Sequence, residues 1–186
     1  MKNIFVVLLI FCVSAVQAQC HNKKNRNVRN ASYHHSYSSS DIVDVAAGND
    51  DFSTLVAAVK AADLVETLQS DGPFTVFAPD NAAFAKLPDG TLGSLLETSN
   101  KKLLTSILTY HVLAGQINAS DLIGAIKVGG GEAKLKTVEG GALIARISGD
   151  TVLLIDEKGG KSAIKTTDIN ADNGVIHVID TVVLPN

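Results

Sequence analysis

Four short strand-like runs follow one another with almost nothing between them: "AKLKTV" (133–138), "ALIARIS" (142–148), "TVLLID" (151–156) and "SAIKTT" (162–167). The connections are "EGG", "GD" and "EKGG", in which glycine supplies the positive φ that tight hairpin turns require. Strands joined this closely form an antiparallel meander. "GVIHVIDTVVLP" (174–185) closes the chain after an Asn173–Gly174 turn.

The first half of the chain has a different period. "DIVDVAAG" (41–48) reads as a short helix ended by Gly48. Asp51 is positioned to cap a helix with Phe52, Leu55, Val56 and Val59 on one face, a theme continued by Leu64, Val65 and Leu68. "FTVFAP" (74–79) reads as a strand, and Asp80 then caps "NAAFAKLP". Asn100 is positioned to cap a helix carrying Leu103, Leu104, Ile107, Leu108 and Val112. Helices first and a strand meander afterwards predict an α+β fold, not alternating βαβ units. No internal repeat is present, so residues 41–186 are expected to form one domain.

The ends differ from this domain. Lys2 followed by the apolar run "IFVVLLIFCVSAV" (4–16) and the small residues of "VQA" (16–18) read as a secretory signal peptide, residues 1–18. The run is about 13 residues, too short to span a bilayer as a helix, which takes about 20. Residues 19–40 are polar and Ser-rich, and read as a disordered linker. All 19 acidic residues of the chain lie at or beyond Asp41. Lys23, Lys24, Arg26 and Arg29 therefore make the linker a basic tail suited to anionic surfaces. The acidic domain behind it is a poor partner for nucleic acid. Export is expected, to the extracellular space or a periplasm, with lipid anchoring through Cys20 as the alternative. Asn30 and Asn118 head "NAS" glycosylation sequons. His21, His34 and His35 offer adventitious metal ligands.

Chemical motifs mostly fail. "GGKS" (159–162) resembles the end of a phosphate-binding loop, but Ile155 stands where the pattern needs glycine and no helix follows. "DINADNG" (168–174) resembles a calcium loop, but Asn173 stands at the glycine position and Ile179 where a bidentate glutamate is required. The domain holds two histidines, His111 and His177. A buried imidazole must hydrogen-bond, bind metal or act in proton transfer. Without a recognisable partner motif the expectation is structural: one ring nitrogen of His111 donates, the other accepts, and the ring ties a helix end near Gly115 to a neighbouring segment. The rival is a hydrolase using His111 or His177 with a carboxylate such as Asp80 or Asp180. No cofactor and no metal are expected.

Three stretches in order, "FTVFAPDNAAF" (74–84), "LTYHVLAG" (108–115) and "NGVIHVIDTVVLP" (173–185), resemble the two boxes and the Tyr-His segment of the fasciclin (FAS1) family over about residues 41–186. The resemblance implies the FAS1 fold, N-terminal helices packed around a β-wedge of mostly antiparallel strands. It implies a non-enzymatic adhesion module that associates with a cell-surface or matrix protein or glycan, and a fold-stabilising role for His111. It also points to binding residues. Asp168 and Ile169 match an Asp-Ile pair to which integrin recognition is assigned in animal members, although Asn170 stands where that motif continues with Leu or Met. Tyr110 and His111 match a second adhesion segment. The residues themselves leave another reading open, in which Ile169 is core and Asp168 a turn residue. A third function, binding a small lipid or sugar in a groove of the wedge, would show as an apolar pocket with few polar groups.

Overall fold

The computed structural model describes residues 40–88 and 90–186. The expected signal peptide, Cys20, the sequon at Asn30, the tail histidines and the basic linker up to residue 39 lie outside the described residues.

Caps decide where the helices begin. The Asp41 carboxylate accepts the N–H groups of Val43 and Asp44 at 2.8 and 2.9 Å and starts α1 (Ile42–Ala47). A single 3-10 turn (Asp50–Phe52) leads into α2 (Ser53–Ala61). Asp51 does not cap it. Asn49 caps the 3-10 turn, and the α2 N–H of Thr54 is taken at 3.1 Å by Asn81, from a helix 27 residues away. A single turn, α3 (Val65–Leu68), precedes strand β1 (Phe74–Pro79). Asp80 caps α4 (Asn81–Ala85) as its spacing predicts, accepting the Ala83 N–H at 2.7 Å.

Helices α5 (Thr91–Leu96) and α6 (Lys101–Tyr110) follow. Asn100 precedes α6 without capping it; its side chain donates instead to the Ser94 carbonyl at 2.7 Å. The helix ends at Tyr110 rather than near Gly115. Val112–Ala114 is a strand, β2, drawn out of the helix by antiparallel pairing with β1. Helix α7 (Ala119–Val128), not foreseen from the pattern, then leads into β3 (Glu132–Lys136), β4 (Ala142–Ser148), β5 (Thr151–Ile155), β6 (Lys161–Ala171) and β7 (Gly174–Ile179). The meander is as expected. Its last turn is centred on Asp172 and Asn173, since Ala171 pairs with Gly174.

The strand order is β2-β1-β7-β6-β5-β4-β3. Only β1 and β7 run parallel, in register from Phe74↔Gly174 to Pro79↔Ile179. A bridge between Leu113 and Thr137, with the Val138 N–H on the Val112 carbonyl at 2.8 Å, brings the two ends of the sheet together into a wedge.

Two cores result. Val76, Ala78, Ile176 and Val178 face the helices and pack with Phe52, Leu55 and Leu104. Phe77 and Ile179 point the other way and pack with Leu143, Ala145 and Leu154. The parallel pair is thus covered on both faces, which is why "GVIHVI" is buried throughout instead of alternating. Leu122 and Ile126 of α7 close the second core. Across the molecule the layers run from helices through the first core, β1 and β7, and the second core to β3–β5.

Candidate functional site

His111 is the residue after α6 and is 2% exposed. Its Nδ1 lies 2.7 Å from the Ile107 carbonyl, so this nitrogen carries the proton and donates. Its Nε2 then accepts the Val183 N–H at 3.3 Å. The ring ties the end of α6 to the chain after β7, with a neutral imidazole as the connector. Burial pushes its pKa down to about 4, because the charged form would lose hydration and forfeit the acceptor at Nε2. One nitrogen donates and the other accepts, as expected, although the helix end it secures is Tyr110.

Tyr110 is fully enclosed. Its hydroxyl donates to the Ala142 carbonyl at 2.7 Å and accepts the Glu157 N–H at 3.3 Å, joining α6 to two turns of the meander. Burial pushes the phenol up to about 12. Gly141 lies against the ring: a Cβ there would fall 2.7 Å from Tyr110 Cε2. Neither Tyr110 nor His111 offers surface to a ligand in this state, because their polar atoms are already spent on the main chain.

The second histidine stands under a distortion of β6. Register shifts between Ile164, Thr166 and Ile169 bulge this strand, and Asp168 at its crest has φ +58°. Aspartate tolerates that region better than most residues. The bulge turns the Asp168 N–H inward to His177 Nδ1 at 3.3 Å and sends its Oδ1 to the Ala119 N–H at 2.8 Å, on the first turn of α7. His177 Nε2 donates to the Ile117 carbonyl at 2.8 Å. The ring is 0% exposed and lies 5.7 Å from that of Phe77. Asp168 itself is exposed and Ile169 half-buried, its inner side packed on the helix-facing core. Ile169 is thus partly core, and Asp168 stands in a bulge of β6 rather than in a turn. Asp168 Oδ2 accepts no hydrogen bond from the described residues, which leaves a charged oxygen facing solvent.

The proposed hydrolase partners stand elsewhere. Asp80 holds α4 and pairs with Lys165. Burial alone would raise its carboxyl, but the Lys165 ammonium and the Ala83 N–H outweigh that and hold it below the usual carboxylate range. Asp180 binds Lys86 at 2.9 Å and the Ala163 N–H at 2.8 Å, and is likewise held down against its own burial. Neither carboxylate hydrogen-bonds His111 or His177. Both imidazoles use both nitrogens on main-chain groups.

"GGKS" is a hairpin turn. The buried Asp156 accepts the N–H groups of Lys158, Gly160 and Leu184 at 3.0, 2.6 and 3.0 Å. Within "DINADNG", Asn173 is a structural residue: it accepts the Ile42 N–H at 3.0 Å and donates to the Leu68 carbonyl at 2.7 Å. No group of three metal-ligating side chains occurs among the described residues.

The pattern missed four polar connectors, two buried (Thr75, Asp156) and two half-buried (Asn81, Asn173). Thr75, in the middle of an apolar strand, donates to the Gly115 carbonyl at 2.7 Å and accepts the Ile117 N–H at 2.9 Å. Asn81, Asp156 and Asn173 are the others. The signal available for Asp156 and Asn173 was their place beside glycine-bearing turns. A small cavity between α1, α2, α3, α6 and β1 is lined by Ile42, Ala46, Val56, Leu68 and Leu108, with the buried His111 also in its wall. At about 30 Å³ it is far smaller than a ligand pocket, which is on the order of several hundred Å³.

Helices packed on a near-closed β-wedge, with one parallel strand pair at its centre, define a non-Rossmann α+β class. The fasciclin domain model matches residues 50–185, and the chain belongs to the fasciclin family. It is 53% identical over 144 residues to Protein sll1483 of Synechocystis sp., covering 77% of this chain and 73% of that one. It is 37% identical over 153 residues to immunogenic protein MPB70 of Mycobacterium bovis, covering 79% and 70%. Against transforming growth factor-beta-induced protein ig-h3 of Sus scrofa it is 40% identical over 144 residues, 77% of this chain but 19% of that protein. Among solved structures it resembles a FAS1 domain pair from the insect cell adhesion molecule Fasciclin I, with a TM-score of 0.54 at 18% identity, covering 70% of this chain and 43% of that one.

Proposed function

We propose that the chain is an exported, non-enzymatic adhesion module whose contact residues are Asp168 and the exposed edge of Ile169. The observation that carries this reading is the β6 bulge: a non-glycine residue at φ +58° keeps a carboxylate oxygen in solvent beside an aliphatic side chain. The Asp168 N–H bond to the buried His177 ring supports that geometry. Membership of the fasciclin family and likeness to a domain pair of a cell adhesion molecule support the same reading. Tyr110 and His111 serve it indirectly, by fixing the frame. A non-catalytic role fits two histidines whose ring nitrogens are all engaged. The expected partner is a cell-surface or matrix protein or glycan. A single domain offers one small epitope, so firm attachment needs repeated ligands or a second contact.

The test compares residues 19–186, residues 41–186 and the Asp168→Asn and Asp168→Ala/Ile169→Ala variants for binding to cells and matrix. Asparagine still accepts the Ala119 N–H and tolerates positive φ, so Asp168→Asn removes charge with little change in fold. Loss of binding in both variants, with unchanged melting in Asp168→Asn, supports the epitope. Equal binding by all forms removes it. Binding that vanishes with residues 19–40 assigns attachment to the basic tail.

A further inference from the structure

The outer face of the meander carries large side chains that belong to neither core. Cross-strand register lines up Lys134, Ile144, Ile155 and Lys161 across β3, β4, β5 and β6. Leu153 lies beside this row, opposite Arg146, and Lys136 flanks it on β3. Ile144, Leu153 and Ile155 are half-buried and lie outside both cores; their inward counterparts Leu143, Ala145 and Leu154 fill the second core. Lys134, Lys136 and Lys161 are exposed and form no ion pair among the described residues. Of the acidic groups near them, Glu132 pairs with Arg146, and Glu157 accepts the Ala142 N–H at 3.0 Å, so three lysines face one unpaired carboxylate.

The opposite end of the molecule has the reverse charge. Between Asp41 and Asp71, which form the α1–α3 end, seven acidic residues stand against one lysine, Lys60. The domain is therefore a charge dipole: an acidic helical layer, two apolar cores, and an aliphatic stripe edged by lysines.

We infer that the outer face of β3–β6 docks on an anionic lipid bilayer, with Ile144, Leu153 and Ile155 resting on the acyl boundary and Lys134, Lys136 and Lys161 meeting phosphate headgroups. Aliphatic side chains edged by long, unpaired lysines are the pattern of an interfacial surface, because the lysine stems cover apolar area while their ammonium groups reach the headgroups. An acidic sugar polymer would find lysines here but no aromatic ring on the face to stack against. The acidic helical layer is repelled by the same surface, so the dipole selects one orientation. This contact goes beyond the Asp168 epitope and does not depend on it, since Asp168 lies at the β6 bulge rather than on the stripe.

The experiment is co-sedimentation of residues 19–186 with vesicles of phosphatidylcholine alone and of phosphatidylcholine mixed with phosphatidylglycerol, at rising salt. Binding is expected to the mixed vesicles alone, weakening with salt. Lys134→Gln/Lys136→Gln/Lys161→Gln is expected to weaken it on the order of 100-fold, about fivefold per lysine. Ile144→Ser/Ile155→Ser is expected to weaken it about tenfold. Both variants alter solvent-facing side chains, and melting confirms that they fold. Lys60→Gln/Lys102→Gln/Lys127→Gln removes the same charge elsewhere and is expected to bind normally, as is Asp168→Asn. Equal loss in the two triple variants overturns the assignment in favour of net charge. Absence of vesicle binding overturns it outright, and binding to heparin but not vesicles gives the face to an acidic glycan instead. The Asp168 epitope stands or falls separately, on cell and matrix binding by Asp168→Asn.

Discussion

His111 and His177 are the same kind of connector in two different settings. Each donates from one nitrogen to a main-chain carbonyl and accepts a main-chain N–H at the other. They use opposite nitrogens as donor: Nδ1 in His111 and Nε2 in His177. Both partners of His111 lie inside, joining α6 to the C-terminal segment. The partners of His177 lie at the rim, where Asp168 is exposed and Ile117 half-buried. An interior connector stabilises the whole fold. A rim connector sets the shape of one exposed feature, and water can replace part of what it does.

The largest effect expected from that contrast is in His111→Ala. The Val183 N–H and the Ile107 carbonyl would both lose their partner away from solvent, costing on the order of 3 kcal/mol. Denaturant unfolding would measure it, and a parent-like midpoint would break the comparison at its firm end. Close behind comes the acid response. The His111 pKa falls from an ordinary 6.5 to about 4 in the folded protein. Its contribution is therefore full above pH 6.5 and is lost as pH falls through 4, amounting to about 3 kcal/mol at the end of that window. Asp80 and Asp180 are held below 3.8. Their stabilisation is present above 3.8 and disappears only at lower pH, so the higher window reports His111. Unfolding free energies of the parent and His111→Gln, measured at steps across it, should diverge, with the variant flatter.

His177→Ala should cost less than His111→Ala, about 1–2 kcal/mol, because water reaches the groups it leaves behind. Its signature is local: faster amide exchange at Asp168 and across the β6 bulge, with α6 unaffected. Equal loss in the two alanine variants would erase the interior-versus-rim distinction. The smallest effect is Tyr110→Phe, which removes the bonds to Ala142 and Glu157 and should lower stability by about 1 kcal/mol without altering surface binding. Thermal melting beside an adhesion assay reads both.

Much of the fold was legible because it rests on local chemistry. Hairpins were marked by glycine at "EGG", "GD" and "EKGG", and the start of α4 by Asp80, whose side chain reaches an N–H group three residues on. Where a cap came from a distant residue, the pattern misled. Asp51 was the local candidate for α2, but Asn81 arrived from elsewhere in the chain. Asn100 sat at the right spacing and bonded backwards to Ser94. The end of α6 was misjudged because the apolar run continues past Tyr110, while pairing with β1 pulls Val112 into a strand. Of the candidate site, Asp168 and Ile169 could be named from sequence. The bulge that exposes one and half-buries the other could not.

The succession of helices and then a strand meander, with α7 and β2 excepted, the hairpin turns and the acidic cast of the domain follow from residue type and spacing within a few positions, so the chain alone determined them. The wedge, the parallel β1–β7 pair and the tasks of the two histidines were decided by tertiary structure. They depend on groups brought together across as many as 100 residues, as between Phe74 and Gly174 in the parallel pair. Local periodicity carries no information about such partners, and only the closed fold says which nitrogen donates and which accepts.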